Sequence, residues 1–366
     1  KGTVVPRGEN NPGLVSMTEN GYQEVLPGDL CIHGMDTWHG AIAVSNVKGK
    51  CTSVVHVCES TQDKRFLAYY LRALAFRNVY KAFSNGVRQN TSDFRSWTKA
   101  GEIPIVLPDL RMQRRIADYL DARCADIDAA IRAAEKSIED YKAFRDVSIS
   151  TVAIHGLRNT KTKPSGVPGV GNIPADWGTP SAGILFSENV RPALPNDQQL
   201  TLSQTDGLIP TAETITQGLR TGTYENWRHV IPGDLVLNRF KAHLGVFFAS
   251  KYTGMVSFHY GVFVPQQSLN VKYYEYLFHS DAFRQEFALS SNGVTVGLQN
   301  LSNTNFYHTR CLLPPIDEQN EIVDYLDRLS LSINGMTSAK QSIIADLKAY
   351  KQSLVYEVAT GKMEVS

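Results

Sequence analysis

The feature that most constrains this chain is an internal repeat. Three short motifs occur twice, in the same order and at an almost constant offset: residues 25–30 and 230–235 (Val-Leu/Ile-Pro-Gly-Asp-Leu), 84–87 and 291–294 (Ser-Asn-Gly-Val), and 107–121 and 313–327 (Leu-Pro, then Gln, Ile and Asp-Tyr-Leu-Asp). We therefore predict that residues 1–157 and 158–366 are two copies of one unit. A repeat this long is a whole domain with its own core, not one turn of a solenoid. Duplicated domains suit a ligand that is read at two separate places.

Composition agrees with two globular domains and excludes a membrane protein. The chain has 366 residues, of which 42% are hydrophobic, and its formal net charge is +1. No apolar run is long enough to span a bilayer and no signal-peptide pattern opens the chain, so we expect a cytoplasmic protein without membrane partners. Residues 1–108 carry 12 basic and 9 acidic side chains, whereas residues 317–357 carry 4 and 7. The small basic excess in the globular parts is a weak indication of a nucleic-acid partner.

The five cysteines are predicted to be buried thiols and not disulfides. Their positions are uneven between the copies, four in the first and one in the second: Cys31, Cys51, Cys58, Cys124 and Cys311. A zinc site made of the first three with His33 has no familiar ligand spacing, so no metal is expected.

The second copy predicts a mixed α/β domain. Strand candidates rich in Val, Phe and Tyr are residues 234–240, 244–251, 255–264 and 306–313. Residues 273–289 are predicted to form a helix, with 63–82 as its counterpart in the first copy. Because nothing before Lys1 corresponds to the stretch from about 170 to 205, we expect the N-terminal part of the first copy to be missing.

Each copy ends in a predicted long helix. Apolar or small residues follow one another at steps of four and three, which is typical of a coiled-coil seam: Leu120, Cys124, Ile127, Ile131, Ala134, Ile138 and Tyr141, then Leu326, Ile333, Ile344, Leu347, Leu354 and Val358. Thr337, Lys340 and Lys351 interrupt the second series. The two helices are predicted to pack on each other as a rod of about 60 Å. The alternative is two surface helices, each packed on its own domain.

No motif for catalysis is present, whether for nucleotides, metal proteases, hydrolases or amino-methyltransferases. Two loops in each copy stand out, because their flanking residues are retained between the copies while their contents differ. Such polar side chains can bind base edges and phosphates. The DNA-binding candidates are His33, Asp36, Trp38, His39, Arg88, Gln89, Asn90 and Arg95 in the first copy, and Asn238, Arg239, Lys241, His243, Thr295, Gln299 and Asn300 in the second. For any one of these residues taken alone, a solvated polar loop is the favoured interpretation.

The segment Leu313-Pro-Pro-Ile-Asp-Glu-Gln319, followed by Ile322-Val-Asp-Tyr-Leu-Asp327, resembles the conserved region of the specificity subunits of type I restriction-modification enzymes. The first copy departs from the family pattern at Asp109 and Met112. The resemblance implies an α/β fold of two tandem mixed α/β target-recognition domains, separated by two long helices that pair as an antiparallel coiled coil. The implied parts are recognition domain 1 (1–108), a central conserved helix (109–157), a linker (158–172), recognition domain 2 (173–315) and a C-terminal conserved helix (316–366).

The resemblance also implies partners and a division of labour. The chain would be non-catalytic and would read a bipartite, asymmetric sequence in double-stranded DNA. Two methyltransferase subunits and the restriction subunits would supply S-adenosylmethionine, ATP and Mg chemistry, and this chain would hold no cofactor. The residues implied for the coiled coil and the partner subunits are Gln113, Tyr119, Leu120, Ile127, Ile131, Ile138, Gln319, Tyr325, Leu326, Ile333, Ile344, Leu347 and Leu354.

Three alternatives remain open at this point. One is the recognition subunit of a related system that cuts on both sides of its site. Another is a duplicated protein-interaction scaffold that reads no DNA. The third is an enzyme that methylates or cuts DNA alone, which the missing cofactor motifs disfavour.

Overall fold

The computed structural model describes residues 2–6, 21–80, 98, 101–203, 207–211, 226–291 and 300–365. It divides into two compact units: Lys1–Ser137 with Ser338–Ser366 (unit 1) and Ile138–Thr337 (unit 2). Each unit therefore combines one globular part with portions of both long helices. This differs from the simple halves 1–157 and 158–366 predicted from the repeat, because the end of each long helix belongs to the unit that contains the other copy's globular part.

Fifteen strands and seven α-helices are assigned among the described residues. The strands are β1 (Gln23–Val25), β2 (Leu30–His33), β3 (Ile42–Val44), β4 (Gly49–Cys51), β5 (Val55–Cys58), β6 (Thr162–Pro164), β7 (Asn172–Pro174), β8 (Phe186–Glu188), β9 (Leu200–Ser203), β10 (Gly207–Pro210), β11 (Arg228–Val230), β12 (Leu235–Asn238), β13 (Phe247–Ala249), β14 (Gly254–Val256) and β15 (Tyr260–Pro265). The helices are α1 (Lys64–Phe76), α2 (Leu110–His155), α3 (Ala182–Leu185), α4 (Val271–His279), α5 (Asp281–Ser290), α6 (Asn303–His308) and α7 (Ile316–Ala359). No helix in the described ranges offers an apolar stretch that could cross a bilayer.

The two units share one sheet framework. Unit 1 contains the antiparallel order β3-β2-β5 and unit 2 the order β13-β12-β15-β8. Leu30 pairs with Val44 and Cys58, and Leu235 pairs with Ala249 and Phe263, so the register is the same at positions 205 apart. The pair β1–β4 likewise matches β11–β14. The repeat seen in the sequence is thus a repeat of strand register.

A retained aspartate explains why the Pro-Gly motif starts the central strand of each sheet. The carboxylate Oδ2 of Asp29 accepts from the backbone N–H of Leu26 at 2.8 Å, and Asp234 accepts from Ile231 at 2.9 Å. The glycine that directly precedes this aspartate has a positive φ in both copies, 94° at Gly28 and 90° at Gly233. Glycine adopts this conformation at little cost, and the carboxylate satisfies a backbone donor that the tight turn leaves unpaired.

The core of unit 2 is aromatic. Three of the elements predicted for this unit from the sequence differ from those in the structure. Phe306 lies on α6 and not in the strand predicted for 306–313, because the Ser302 hydroxyl caps a short helix by accepting from Asn305 N at 3.1 Å. The predicted helix 273–289 is two helices, α4 and α5, because Ser280 has extended backbone angles (φ −68°, ψ 151°). The predicted strand 255–264 is also divided, into β14 and β15.

The two long helices pack on each other in opposite directions. In unit 1, Lys351 Nζ lies 2.6 Å from Asp128 Oδ1, Arg115 Nη2 donates to the carbonyl of Val365 at 2.8 Å, and Lys348 Nζ lies 3.8 Å from Glu135 Oε1. Residues further along α2 therefore contact residues with lower numbers in α7, so the two helices run antiparallel. In unit 2, residues of both helices share one hydrophobic cluster, among them Ile149, Ala153, Ile322 and Leu326. The pairing predicted from the heptads is confirmed, and its direction is the antiparallel one that the family resemblance implies. Lys351, which interrupts the seam, is paired with Asp128 of α2.

Burial of the seam follows the heptad pattern. Its buried members are Leu120, Cys124, Ile127, Ile131, Ala134, Leu326, Ile333, Ile344, Leu354 and Val358. Ile138 and Leu347 are partly buried, whereas Tyr119 is half-buried and Tyr325 is exposed, so the two tyrosines lie beside the seam.

In each copy, a glutamine of the repeated motif attaches the start of the long helix to its own unit. Gln113 Oε1 accepts from the backbone N of Asp63 at 3.0 Å, and Gln319 Oε1 accepts from Asn270 N at 2.9 Å. Their amide nitrogens donate to the carbonyls of Pro108 and Pro314. Both side chains are buried, so they are used inside their units and are not placed on a partner-facing surface.

Candidate nucleic-acid interface

In each unit the first candidate loop leaves the central strand as a short 3-10 turn that ends at a glycine. The turns are Thr37–His39, ended by Gly40 (φ 72°), and Arg239–Leu244, ended by Gly245 (φ 74°). A Cβ at Gly245 would lie 3.1 Å from the carbonyl oxygen of Phe278. Both the left-handed backbone and the close approach therefore favour glycine at the end of the loop.

The loop of unit 1 presents imidazole, carboxylate and indole groups. His33 Nδ1 accepts from the backbone N–H of Asp36 at 3.1 Å. The carboxylate of Asp36 lies 3.4 Å from His33 Nδ1 and 3.9 Å from His39 Nδ1. The rings of Trp38 and His39 are 4.0 Å apart. The structure thus brings together all four residues predicted for this loop.

The loop of unit 2 holds two of its predicted residues in internal contacts. Asn238 Oδ1 accepts from Phe240 N at 3.1 Å and caps the 3-10 turn. The Arg239 guanidinium donates to Glu188 Oε1 at 3.0 Å and also to Asn303. Burial lowers the pKa of Arg239, although Glu188 opposes the shift. The structure therefore places Arg239 in an internal network and not on the loop surface, because its guanidinium is paired with Glu188 and Asn303 inside the unit.

The other residues of this loop are oriented differently. Lys241 is exposed to solvent. Buried atoms without a hydrogen-bond partner in the described part of the chain include His243 Nδ1 and Asn300 Oδ1. Asn300 lies beside the loop, because its neighbour Leu301 donates its backbone N–H to the carbonyl of Arg239 at 3.0 Å. Buried polar atoms usually have partners, so each of these two atoms is available for a further hydrogen bond.

Sequence reasoning missed an aromatic group beside the same loop. Asn238 pairs with Tyr260, which brings the turn before β15 next to the end of β12. Phe258 is 53% exposed and Phe240 is 41% exposed, and both rings lie close to His259, with centroids 4.1 and 5.9 Å away. The sequence signal for this exposed aromatic group was the Ser-Phe-His stretch between two apolar runs. The prediction of one continuous strand over residues 255–264 concealed it.

The remaining loop predictions are not described by the structure. Arg88, Gln89, Asn90, Arg95, Thr295 and Gln299 lie outside the described residues.

Burial raises the pKa of the four thiols of unit 1. Burial raises the pKa of Cys31 and of Cys58 to about 11 in each case, which disfavours the thiolate that zinc requires. Among the described residues, no cluster of three or more His, Cys, Asp or Glu side chains is arranged to hold a metal ion. All five cysteines are free thiols.

Comparison with known proteins identifies one domain family. Residues 203–344 match the model of the type I restriction modification DNA specificity domain. No protein of curated function matches the chain significantly in sequence.

Two solved structures have a similar fold. The first comes from work on complex assembly and conformational transition of the type I R-M system, with 15% identity, a TM-score of 0.68, and coverage of 94% of this chain and 84% of that chain. The second is the HsdS subunit from Thermoanaerobacter tengcongensis, with 16% identity, a TM-score of 0.54, and coverage of 95% and 84%. At this identity the likeness concerns the fold, and it agrees with the mixed α/β, two-domain architecture expected from the sequence. The resemblance to the specificity subunits of type I restriction-modification enzymes is thereby confirmed, with residues 203–344 of this chain matching the model of their DNA specificity domain.

Proposed function

We propose that this chain is the DNA-recognition subunit of a type I restriction-modification complex and that each unit reads one half of a bipartite target. The observation that carries the proposal is the identical strand register of the two units around loops of different content. A shared scaffold presents both loops at the end of its central strand. Different side chains on the same scaffold would recognise different bases, so the target would be asymmetric.

The two loops present different chemical groups, which would recognise different bases. The loop of unit 1 offers imidazole and indole groups beside the Asp36 carboxylate, and a carboxylate can accept from cytosine N4. The loop of unit 2 offers the exposed cation of Lys241 and two exposed phenylalanine rings. Lysine can bind phosphate or guanine, and apolar rings can contact the thymine methyl group.

The paired helices carry large apolar side chains that are 40–71% exposed. These are Phe144, Val147, Leu331, Met336, Ile343 and Tyr350. Exposed apolar surface of this kind is common where another protein binds. We propose that two methyltransferase subunits bind along the helices and supply the S-adenosylmethionine chemistry. Restriction subunits would add the ATP- and Mg-dependent steps, while this chain would catalyse none, in the cytoplasm where the DNA lies.

The proposal is tested by exchanging residues 175–312 for the corresponding segment of another specificity subunit. We expect methylation mapping in cells that carry the methyltransferase subunit to show a new sequence in one half of the site and the old sequence in the other. Each reading loop is contained in one segment, so the other half should be unaffected. A change in both halves would contradict modular reading, and unaided methylation or cleavage by the purified chain would contradict a non-catalytic role.

The role of the unit 2 loop is tested with one exposed lysine. Lys241→Ala should weaken binding of duplex DNA by the complex and reduce the slope of log K against log salt by about 1, because one phosphate contact is lost. Lys251→Ala is the matched control, since Lys251 is also exposed but lies beyond the opposite end of β13. Equal salt slopes for both variants and the parent would place the DNA elsewhere.

A further inference from the structure

A largely buried ion-pair network begins in the candidate loop of unit 2. The Arg239 guanidinium donates to Glu188 Oε1 at 3.0 Å and to Asn303 Oδ1, and the Asn303 amide donates to Glu188 Oε2. Each of the three side chains therefore contacts the other two. The side chains of Arg239 and Glu188 are only 17% and 23% exposed, so the network is mostly removed from solvent.

The network joins three elements that are distant in sequence. Glu188 is the last residue of the edge strand β8, Arg239 is the first residue of the 3-10 turn after β12, and Asn303 is the first residue of α6. Two backbone contacts support the junction. Leu301 N donates to the carbonyl of Arg239 at 3.0 Å, and Glu188 N donates to the Tyr307 hydroxyl at 2.9 Å. The start of the loop is thereby fixed to β8 and to α6.

A glycine makes room for the guanidinium. A Cβ at Gly261 would lie 3.2 Å from Arg239 Nη2, so a larger residue there would crowd it. Gly261 lies on β15 directly after the turn 257–260, and the guanidinium therefore also reaches the second surface segment at this end of the sheet. In unit 1 the sizes are reversed, since the residues 205 positions earlier are Gly34 and His56. Unit 1 therefore has no guanidinium at this position.

Stability alone does not explain such a network. Removing two charges from water costs much of the free energy that their attraction returns, so an apolar replacement of similar size is often no less stable. What the charges provide is one defined arrangement, because guanidinium N–H groups and carboxylate oxygens pair with fixed geometry. The groups arranged here are exposed side chains of the proposed DNA-reading surface, namely Phe240 and Lys241 directly after Arg239, and Phe258 in the neighbouring turn.

We propose that Glu188 is a positioning residue for DNA reading by unit 2, which holds Arg239 and Asn303 so that the exposed side chains of the loop face a defined base pair. This inference rests on the proposed function and adds the residue that keeps the reading of one half-site strict. Without the carboxylate, the loop would sample several arrangements, and these would accept different base pairs at the same position. The half-site read by unit 1 would keep its specificity.

The test is Glu188→Gln in the complex with the methyltransferase subunit. Methylation rates are compared for a duplex that carries the mapped target and for duplexes with one base pair substituted in either half. The half read by unit 2 is the one that changes when residues 175–312 are exchanged. We expect discrimination against substitutions in that half to fall by about tenfold, and discrimination in the other half to change by less than about twofold.

Glu275→Gln is the matched control. Glu275 is also a buried glutamate of unit 2 in an ion pair, with Lys272. It accepts from Ala249 N at 2.8 Å, and Ala249 pairs with Leu235 at the end of β12 opposite to the loop. This variant should lower the thermal unfolding midpoint at least as much as Glu188→Gln, because its carboxylate is the more buried of the two, and it should leave discrimination in both halves unchanged.

A double variant separates positioning from stability. Glu188→Gln with Arg239→Met leaves no buried charge of the pair without its partner, so the unfolding midpoint should recover relative to Glu188→Gln. Discrimination should stay low, because the guanidinium that joins the loop to β8 and α6 is gone.

Three results would overturn the proposal: unchanged discrimination in Glu188→Gln, an equal loss in Glu275→Gln, or recovery of discrimination together with stability in the double variant. In each case a parent complex that prefers its mapped target would leave the proposed function intact. A parent complex without sequence preference would overturn the proposed function and this inference together.

Discussion

Phe306→Ala is expected to lower the free energy of unfolding of unit 2 by about 3–5 kcal/mol. The Phe306 ring is fully buried, and its centroid lies 4.6 Å from that of Phe263 and 5.9 Å from that of Phe247. Rings on α3–β8, α4 and α6 itself also surround it. Alanine would leave a cavity bounded by rigid rings from several elements, which cannot collapse to fill it. Urea unfolding followed by tryptophan fluorescence measures the loss.

The matched control removes the same side chain from the surface of the same unit. Phe258 is 53% exposed, so Phe258→Ala should change the free energy of unfolding by no more than about 0.5 kcal/mol. A loss below about 1 kcal/mol for Phe306→Ala would mean that α6 does not anchor the aromatic core.

Lengthening both long helices by four residues is expected to change the DNA spacer without changing either half-site. The insertions belong between Ala134 and Glu135 in α2 and between Lys348 and Ala349 in α7, because Glu135 and Lys348 meet in the antiparallel pair. Four helical residues add about 6 Å. At about 3.4 Å per base pair, the proposed target should gain one or two base pairs between its halves. Methylation mapping would read out the new spacer directly.

A chain with four residues added after Met363, beyond the end of α7, is the length-matched control and should keep the original spacer. The idea that the helices set the distance between half-sites fails if the doubly lengthened chain methylates sites with the original spacer. Insertion in α2 alone should instead lower stability, because it shifts the seam of one helix against the other.

Sequence patterns predicted the fold where local chemistry and long-range packing agree. The Pro-Gly-Asp turns could be predicted because the Asp29 and Asp234 carboxylates act within three residues of their own position. The heptads predicted the helix pair because a seam with a period near 3.5 needs another apolar seam to cover it. Lys351 could be recognised only as an interruption, since its partner Asp128 is distant in sequence and close only in the folded chain.

The predictions were wrong where packing and partners in the folded chain outweigh the pattern of residue types in the sequence. Residues 306–313 are rich in apolar and aromatic side chains, which indicates a strand, but a Ser302 cap and the aromatic core make a short helix there. Arg239 has the residue type of a DNA contact, yet Glu188 and Asn303 hold it from elements far away in sequence. Phe258 was hidden inside a predicted strand, and its exposure depends on where β14 ends.

The amino-acid sequence by itself determined the duplication, the turn chemistry, the seam of the long helices and the family resemblance, since each depends on residue types at short spacing. Only the tertiary structure decided which loop side chains reach solvent and which become internal. The physical reason is that burial and hydrogen-bond partners are set by segments far apart in the sequence. A loop residue becomes available to a ligand only if no distant partner has already satisfied it.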